Sequence, residues 1–216
     1  MEIKEEKQYF SDVVIRSDFS SSKHRIYFTL KKISDFVLAL IGLLITLPIL
    51  LLFCLAIKIE SKGAAFYLQE RVGLNGELFY IIKLRSMHIN AEKNGAQWAL
   101  KNDPRVTRVG SFIRKTRIDE IPQLINVLKG EMSLIGPRPE RPMFNEQFNR
   151  EISGFNHRLI VKPGITGWAQ VNGGYDISPE EKLRFDIYYI RNLSIVTDIK
   201  IILKTVKVVI TGDGAR

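Results

Sequence analysis

The stretch from Phe36 to Ile57, FVLALIGLLITLPILLLFCLAI, holds no charged side chain and a single hydroxyl, Thr46. As a straight helix it would measure about 33 Å, enough for a hydrocarbon core about 30 Å thick. A helix buried in a soluble core rarely stays apolar on every face for this long. Nor does a secretory signal fit, because a long polar stretch precedes the block and the block exceeds a usual signal region. The segment is therefore predicted to enter lipid.

Entering lipid is not the same as crossing it. Lys23, His24, Arg25, Lys31 and Lys32 precede the block, and Lys58, Lys62 and Arg71 follow it. Basic flanks on both sides give no orientation under the positive-inside rule, and a span would put one of them on the wrong side. Pro48, near the middle, cannot donate a backbone hydrogen bond and clashes with the carbonyl at Leu44, so a bend is expected. A helix that bends and returns to its own leaflet fits these facts better than a span, although spanning helices also contain proline.

Composition narrows the partners. Lys and Arg number 32 against 23 Asp and Glu, a net charge of +9, which calls for nucleic acid, a lipid surface or a phosphorylated substrate. Zinc-finger spacing, aromatic RNA-binding signatures and basic zippers are missing, so no nucleic acid is expected. The lone Cys54 rules out a disulfide scaffold and a Cys-rich metal site, and His24, His88 and His157 lack ligand spacing. There is no Walker loop and no G-x-G-x-x-G, so any phosphate must be held by arginine forks and a metal.

Residues 1–30 read as a polar lead-in, 31–58 as the membrane helix and 59–216 as a catalytic domain. In the last, AFYLQERVGLNGELFYIIKLRSM reads as two extended stretches about the turn Gly73-Leu74-Asn75-Gly76. Asn90 to Asn102 is polar, helical or loop-like, and Lys101 to Arg117 is strongly basic. A short helix from Glu120 to Leu128 is predicted, with Asp119 as cap, Pro122 in its first turn and Gly130 past its end. Gly136 to Pro142 is rigid, and the Gly-rich Pro163 to Gly174 reads as a loop able to approach a ligand. Asp198 to Ile210 places apolar residues at helical spacing, with Lys200, Lys204 and Lys207 on another face. That composition suits a helix in a membrane interface and equally one packed on the core.

The most suggestive constellation is Arg114-Lys115-Thr116-Arg117-Ile118-Asp119-Glu120-Ile121-Pro122. Two adjacent carboxylates behind three cations combine an anion-attracting field with groups able to attack phosphorus or hold Mg²⁺. A lone Asp-Glu pair would more often be a cap with ordinary surface ion pairs.

Three strings change that weighting: IIKLRSM, DPRVTRVGSFIRKTRIDEIPQLINVLKGEMSLIGPRPE and KPGITGWAQVNG. Together they resemble the bacterial sugar transferase family, the monotopic phosphoglycosyl transferases that begin glycan assembly on a polyprenol carrier. The likeness covers roughly residues 31–216. It implies an α+β fold: a re-entrant membrane helix followed by a small mixed catalytic domain with interfacial amphipathic helices, on the cytoplasmic face of a bacterial inner membrane. It implies Asp119 as nucleophile toward a UDP-sugar, with UMP released and a phosphosugar–aspartyl intermediate passed to polyprenyl phosphate. Glu120 would bind Mg²⁺, and Arg114 and Arg138 match the family's phosphate-binding arginines, with Lys83 and Arg85 near them. Pro48 matches the residue that breaks the re-entrant helix.

Two positions depart from the small bacillosamine-type group, where Ser precedes the breaking proline and Arg follows the second Asn-Gly. Here these are Leu47 and Gly174, and the tail PEEKLRFDIYYIRNLS looks more like exopolysaccharide- and capsule-initiating enzymes. A membrane-associated hydrolase of nucleotide-sugar diphosphates and a non-catalytic lipid-binding module are the competing expectations. The sugar is not legible, and a homo-oligomer stays open.

Overall fold

The computed structural model describes residues 22–93, 95, 103–173 and 177–211. Most of the expected lead-in, the segment 96–102 and Gly174 lie outside the described residues. The predicted α+β class is observed: one long apolar helix, then a small domain of short helices around two two-stranded sheets.

Helix α1 runs from Ser22 to Glu60, so it starts within the expected lead-in and extends beyond both ends of the apolar block. At 1.5 Å per residue it is about 58 Å of helix. It continues through Pro48 without a gap, so the expected break does not end the helix. Two residues earlier, Thr46 Oγ1 donates to the Gly42 carbonyl at 2.7 Å, a side-chain bond that tends to bend helices.

One stripe of α1 faces the protein, buried at Tyr27, Asp35, Ala39, Leu50 and Ile57. The spacings of 8, 4, 11 and 7 residues, each close to a whole number of turns, keep the stripe on one side of the helix. The rest of the circumference, including Phe36, Leu40, Leu44, Ile45, Leu51, Leu52 and Leu55, is apolar and exposed. Only 11% of the most apolar part of α1 is buried, unlike the core helix of a soluble protein.

Strands β1, Phe66–Val72, and β2, Leu78–Leu84, form the expected hairpin, pairing Val72 with Leu78 and Phe66 with Leu84. The turn is longer than a two-residue reversal: Asn75 and Gly76 take φ of 54° and 87° inside a 3₁₀ turn, conformations that Asn and Gly tolerate best. Period-two alternation gives the hairpin two faces. Tyr67, Gln69, Arg71, Phe79, Ile81 and Lys83 face the domain, and Phe79 and Ile81 pack with Ala39 of α1 and with Val127 and Met132.

Helix α2, Arg108–Lys115, is capped by Thr107. A 3₁₀ turn, Ile118–Glu120, leads into α3, Gln123–Leu128. Strand β3, Ser133–Ile135, pairs in parallel with β4, Gly164–Thr166. The expected Gly-rich loop is thus partly a strand and partly a short helix, α5, Trp168–Asn172. Its glycines serve backbone contact: a Cβ on Gly164 would lie 2.0 Å from the Gly136 nitrogen, and one on Gly167 2.1 Å from the Gly136 carbonyl oxygen.

Helices α4, Pro142–Glu151, and α6, Pro179–Arg191, build the largest core around Phe148, Phe155, Leu183, Ile187 and Ile190. Helix α7, Ile195–Thr211, meets this core through Ile201, while Ile199, Ile202, Leu203, Val206 and Val209 are exposed. Between the two arrangements that the sequence allowed, α7 therefore turns its apolar face outward. Lys204 does not join that face: it bonds the Asn172 side chain and lies 5.1 Å over the Trp168 ring.

Candidate active site

The turn that carries Asp119 and Glu120 is set up by its predecessor. Arg117 has φ 57° and ψ 16°, a left-handed conformation costing a non-glycine residue about 1–2 kcal/mol, and it reverses the chain between α2 and the 3₁₀ turn. Asp119 does not cap a helix as expected. It lies within the turn, and the position before α3 is taken by Pro122, which offers no side-chain cap. The Asp119 carboxylate is thereby kept from capping.

Asn126 fixes this turn against the hairpin. Its amide is fully buried; Oδ1 accepts from the Ile82 nitrogen at 3.0 Å, and Nδ2 donates to the Tyr80 carbonyl at 2.8 Å and to Glu131 at 2.7 Å. The strand-edge bonds place Lys83, next along β2, against Glu120.

The two carboxylates are treated oppositely. Glu120 Oε1 accepts from Lys83 Nζ at 3.0 Å and from Arg138 at 2.5 Å. Burial opposes its charge, but Arg138 and Lys83 outweigh burial and hold its carboxyl well below the usual range. Asp119, 9% exposed, has no hydrogen bond to its carboxylate among the described residues. Burial, and then the neighbouring Glu120 charge, push it up from 3.8 to about 6, against the pull of Lys83, Arg114 and Arg138.

The sequence-predicted residues thus divide. Lys83, Arg138, Asp119 and Glu120 come together, and Arg114, in the last turn of α2, contributes its field at Asp119. Arg85 does not join them. Its buried guanidinium donates to the carbonyls of Lys62 and Ser61 at 2.7 and 2.9 Å, tying the end of α1 to β2. Its guanidinium is thus engaged at the end of α1 and not by Glu120.

Residues 26–212 match the family described as bacterial sugar transferase. The chain belongs to that family. It is 49% identical over 194 residues to a UDP-N-acetylgalactosamine-undecaprenyl-phosphate N-acetylgalactosaminephosphotransferase of Aeromonas hydrophila, covering 88% of this chain and 46% of that protein. It is 57% identical over 150 residues to a putative undecaprenyl-phosphate N-acetylgalactosaminyl 1-phosphate transferase of Bacillus subtilis, covering 69% of this chain and 84% of that one. A UDP-glucose:undecaprenyl-phosphate glucose-1-phosphate transferase of Escherichia coli is 44% identical over 182 residues, covering 82% of this chain and 39% of that protein. The chain therefore spans less than half the length of the Aeromonas and Escherichia relatives.

In this member of the family, further groups surround the dyad. Arg71, on the same hairpin face as Lys83, donates to the Pro139 carbonyl at 2.9 Å, and burial, then Arg138, bring it down to about 10. Arg158 is 1% exposed, pairs with Asp186 at 2.7 Å, and donates to the Arg138 carbonyl at 2.6 Å. Glu140 takes Lys182 as partner; against burial, Lys182 and Arg158 hold its carboxyl at about 2. This buried network, with the Gly136, Gly164 and Gly167 contacts, fixes the backbone that carries Arg138. Alternation in the strand offered a signal for Arg71; the 18- to 42-residue separations of the pairs that Arg158 and Glu140 make offered none.

The family implies a divalent metal. No cluster of three His, Cys, Asp or Glu exists among the described residues, so no all-protein cage is present. Mg²⁺ commonly uses one or two carboxylates and completes its shell with phosphates and water. The donor set fits that habit: no described hydrogen bond falls on Glu120 Oε2, and Asp119 lies next to it in the chain. The fully buried Gln123, three residues on, leaves Oε1 and Nε2 without a partner.

Proposed function

We propose that this protein transfers a sugar-1-phosphate from a UDP-sugar to undecaprenyl phosphate or a similar polyprenyl phosphate, as the first step of polysaccharide or glycoconjugate assembly. The observation that carries this reading is the divided dyad. One carboxylate is fixed by two cations, and its neighbour is left unbonded with a raised pKa. Ionised above pH about 6 and more basic than an ordinary aspartate, Asp119 is suited to attack phosphorus.

In the first step an Asp119 oxygen bonds to the phosphorus that carries the sugar. The bond from that phosphorus to the bridging oxygen breaks, and UMP departs with the electron pair. In the second, an oxygen of the lipid phosphate attacks the same phosphorus, and Asp119 leaves as a carboxylate. Arg138, Lys83 and Arg114 offset the repulsion between carboxylate and diphosphate, an electrostatic contribution that is large in a water-poor site. Glu120 would hold Mg²⁺, which when bound supplies further neutralisation of phosphate charge.

Membrane placement belongs to the same reading. Near its start α1 is tied to α7, through Tyr27 Oη to Asp198 at 2.9 Å and Lys31 to Asp198 at 3.0 Å. At its end, Glu60 accepts from the Arg108 nitrogen at 2.8 Å. Both ends are held by one small domain, and such a domain, with its exposed polar groups, does not thread a hydrocarbon core. This supports a re-entrant α1 bent near Pro48, with both of its ends on the side of the membrane that holds the domain.

The test is UMP release from a panel of UDP-sugars by the full chain in detergent with polyprenyl phosphate and Mg²⁺, beginning with UDP-N-acetylgalactosamine, the sugar of two relatives. Asp119→Asn should reduce release on the order of 10⁴-fold or more. Unchanged release by that variant would overturn the proposal. Continuous turnover without lipid acceptor would instead identify a hydrolase; a transferase stops after one phosphosugar per protein.

A further inference from the structure

A second concavity lies away from the dyad. It is a groove of about 790 Å³ between the first turns of α1 and the far end of α3, within the size range of ligand clefts. Arg25, Lys32 and Lys162 form one part of its lining, and Phe36, Val127 and Met132 are among its apolar residues. None of the three cations makes an ion pair with a described residue. The one carboxylate in the lining, Asp35, is buried and accepts from the Leu134 nitrogen at 3.1 Å, so it is occupied in holding β3 to α1.

The order of these residues along α1 matters. Arg25, Phe28, Lys32 and Phe36 follow one another at helical spacing, cations alternating with rings, as α1 passes from its basic flank into its lipid-facing block. Lys162 reaches the same groove from another part of the chain: a Cβ on Gly130 would lie 3.5 Å from its Nζ. Cationic groups at the depth of lipid headgroups, above an apolar floor at the depth of acyl chains, match an anionic amphiphile in both parts.

We infer that this groove holds one acidic phospholipid, its phosphate diester between Arg25, Lys32 and Lys162 and an acyl chain along Phe36, Val37 and Leu128. The occupant is not the acceptor substrate. From Glu120 to the end of α3 is eight residues, about 12 Å of helix, and none of Lys83, Asp119, Glu120 or Arg138 lines the groove. An acceptor phosphate there would be too far from Asp119 to react. The bound phospholipid seats α1 against the domain, bridging cations that no described carboxylate pairs.

This inference rests on the membrane placement proposed above. The test uses the full chain in phosphatidylcholine nanodiscs with a rising fraction of phosphatidylglycerol, read by thermal unfolding and by native mass spectrometry of retained lipid. The wild type should show a saturable rise of about 5–10 °C when the lipid is in hundredfold excess over its Kd, with one phosphatidylglycerol retained. Lys32→Glu with Lys162→Glu should show neither, while Lys200→Glu with Lys207→Glu, on α7, should respond as the wild type does. If the acidic variant does not fold, Lys32→Gln with Lys162→Gln, which keeps the side-chain stems, is read the same way.

An equal response in the groove variant, or loss of response only in the α7 variant, would overturn the site in favour of diffuse surface attraction. Displacement of the retained lipid by polyprenyl phosphate would assign the groove to the acceptor. An equal rise with inorganic phosphate would make it a free-anion site. A chain that never enters phosphatidylcholine nanodiscs would fail the membrane reading itself, before any acidic lipid is added.

Discussion

The dyad and the outer surface of α1 invert each other. Around Asp119 and Glu120 the protein buries charge, with Glu140, Arg158 and Asp186 each almost without exposure. Along α1 and α7 it exposes hydrocarbon, with Leu44 63% and Leu203 66% accessible. A domain surrounded only by water does the opposite in both places. The comparison teaches that the interior gathers the charge on which the proposed phosphate chemistry rests, while the outer faces of α1 and α7 expose hydrocarbon as a lipid-contacting surface does.

Replacing Arg138 with Ala acts on the charged half. It removes one of the two cations on Glu120, and kcat/KM for UMP release should fall about 10²- to 10³-fold. A loss below tenfold would mean that Lys83 suffices and that the burial of charge is structural. Leu44→Lys acts on the other half. At a water-facing site such a change usually stays within about 0.5 kcal/mol, but in a lipid core it costs about 2.5–3.5 kcal/mol. Sedimentation with vesicles should therefore weaken about a hundredfold; unchanged sedimentation would mean that this face meets water.

The smallest effect sharpens the contrast. The folded Asp119 carboxyl keeps its proton to about pH 6, above its ordinary 3.8. Ionising it therefore costs folding stability as pH rises through that interval, and the cost is fully present above pH 6. Asp119→Asn should raise stability at pH 8 by up to about 3 kcal/mol while destroying activity, and the gain should vanish at pH 4. In the wild type kcat/KM should drop tenfold per pH unit below about 6. A destabilised Asn variant at pH 8 would remove the case for a strained, unpaired nucleophile.

Much of this was legible in the sequence, because local pattern carries it. Period two and Asn75-Gly76 give the hairpin, unbroken hydrocarbon gives α1, and three extended strings give the dyad. The departures arise where distant segments meet. Arg85 looked like a phosphate ligand beside Lys83, but the carbonyls at the end of α1 take its guanidinium. Asp119 looked like a helix cap, but Arg117 turns the chain so that it heads nothing. The Gly-rich segment after Pro163 looked open to a ligand, yet its glycines admit the backbone at Gly136. For α7, spacing identified the two faces, and only the packing of Ile201 decided which one points outward.

The clasp at Asp198 has a consequence for how the protein is made. Tyr27 and Lys31, at the start of α1, share this carboxylate with Tyr189, bonded at 3.0 Å. Helix α1 thus meets this partner only when α7, far behind it in the chain, has been synthesised. Until then the hydrogen bonds of Tyr27 and Lys31 to Asp198 cannot form. Contact of the apolar α1 with lipid can thus precede the clasp that locks its leading end to the domain.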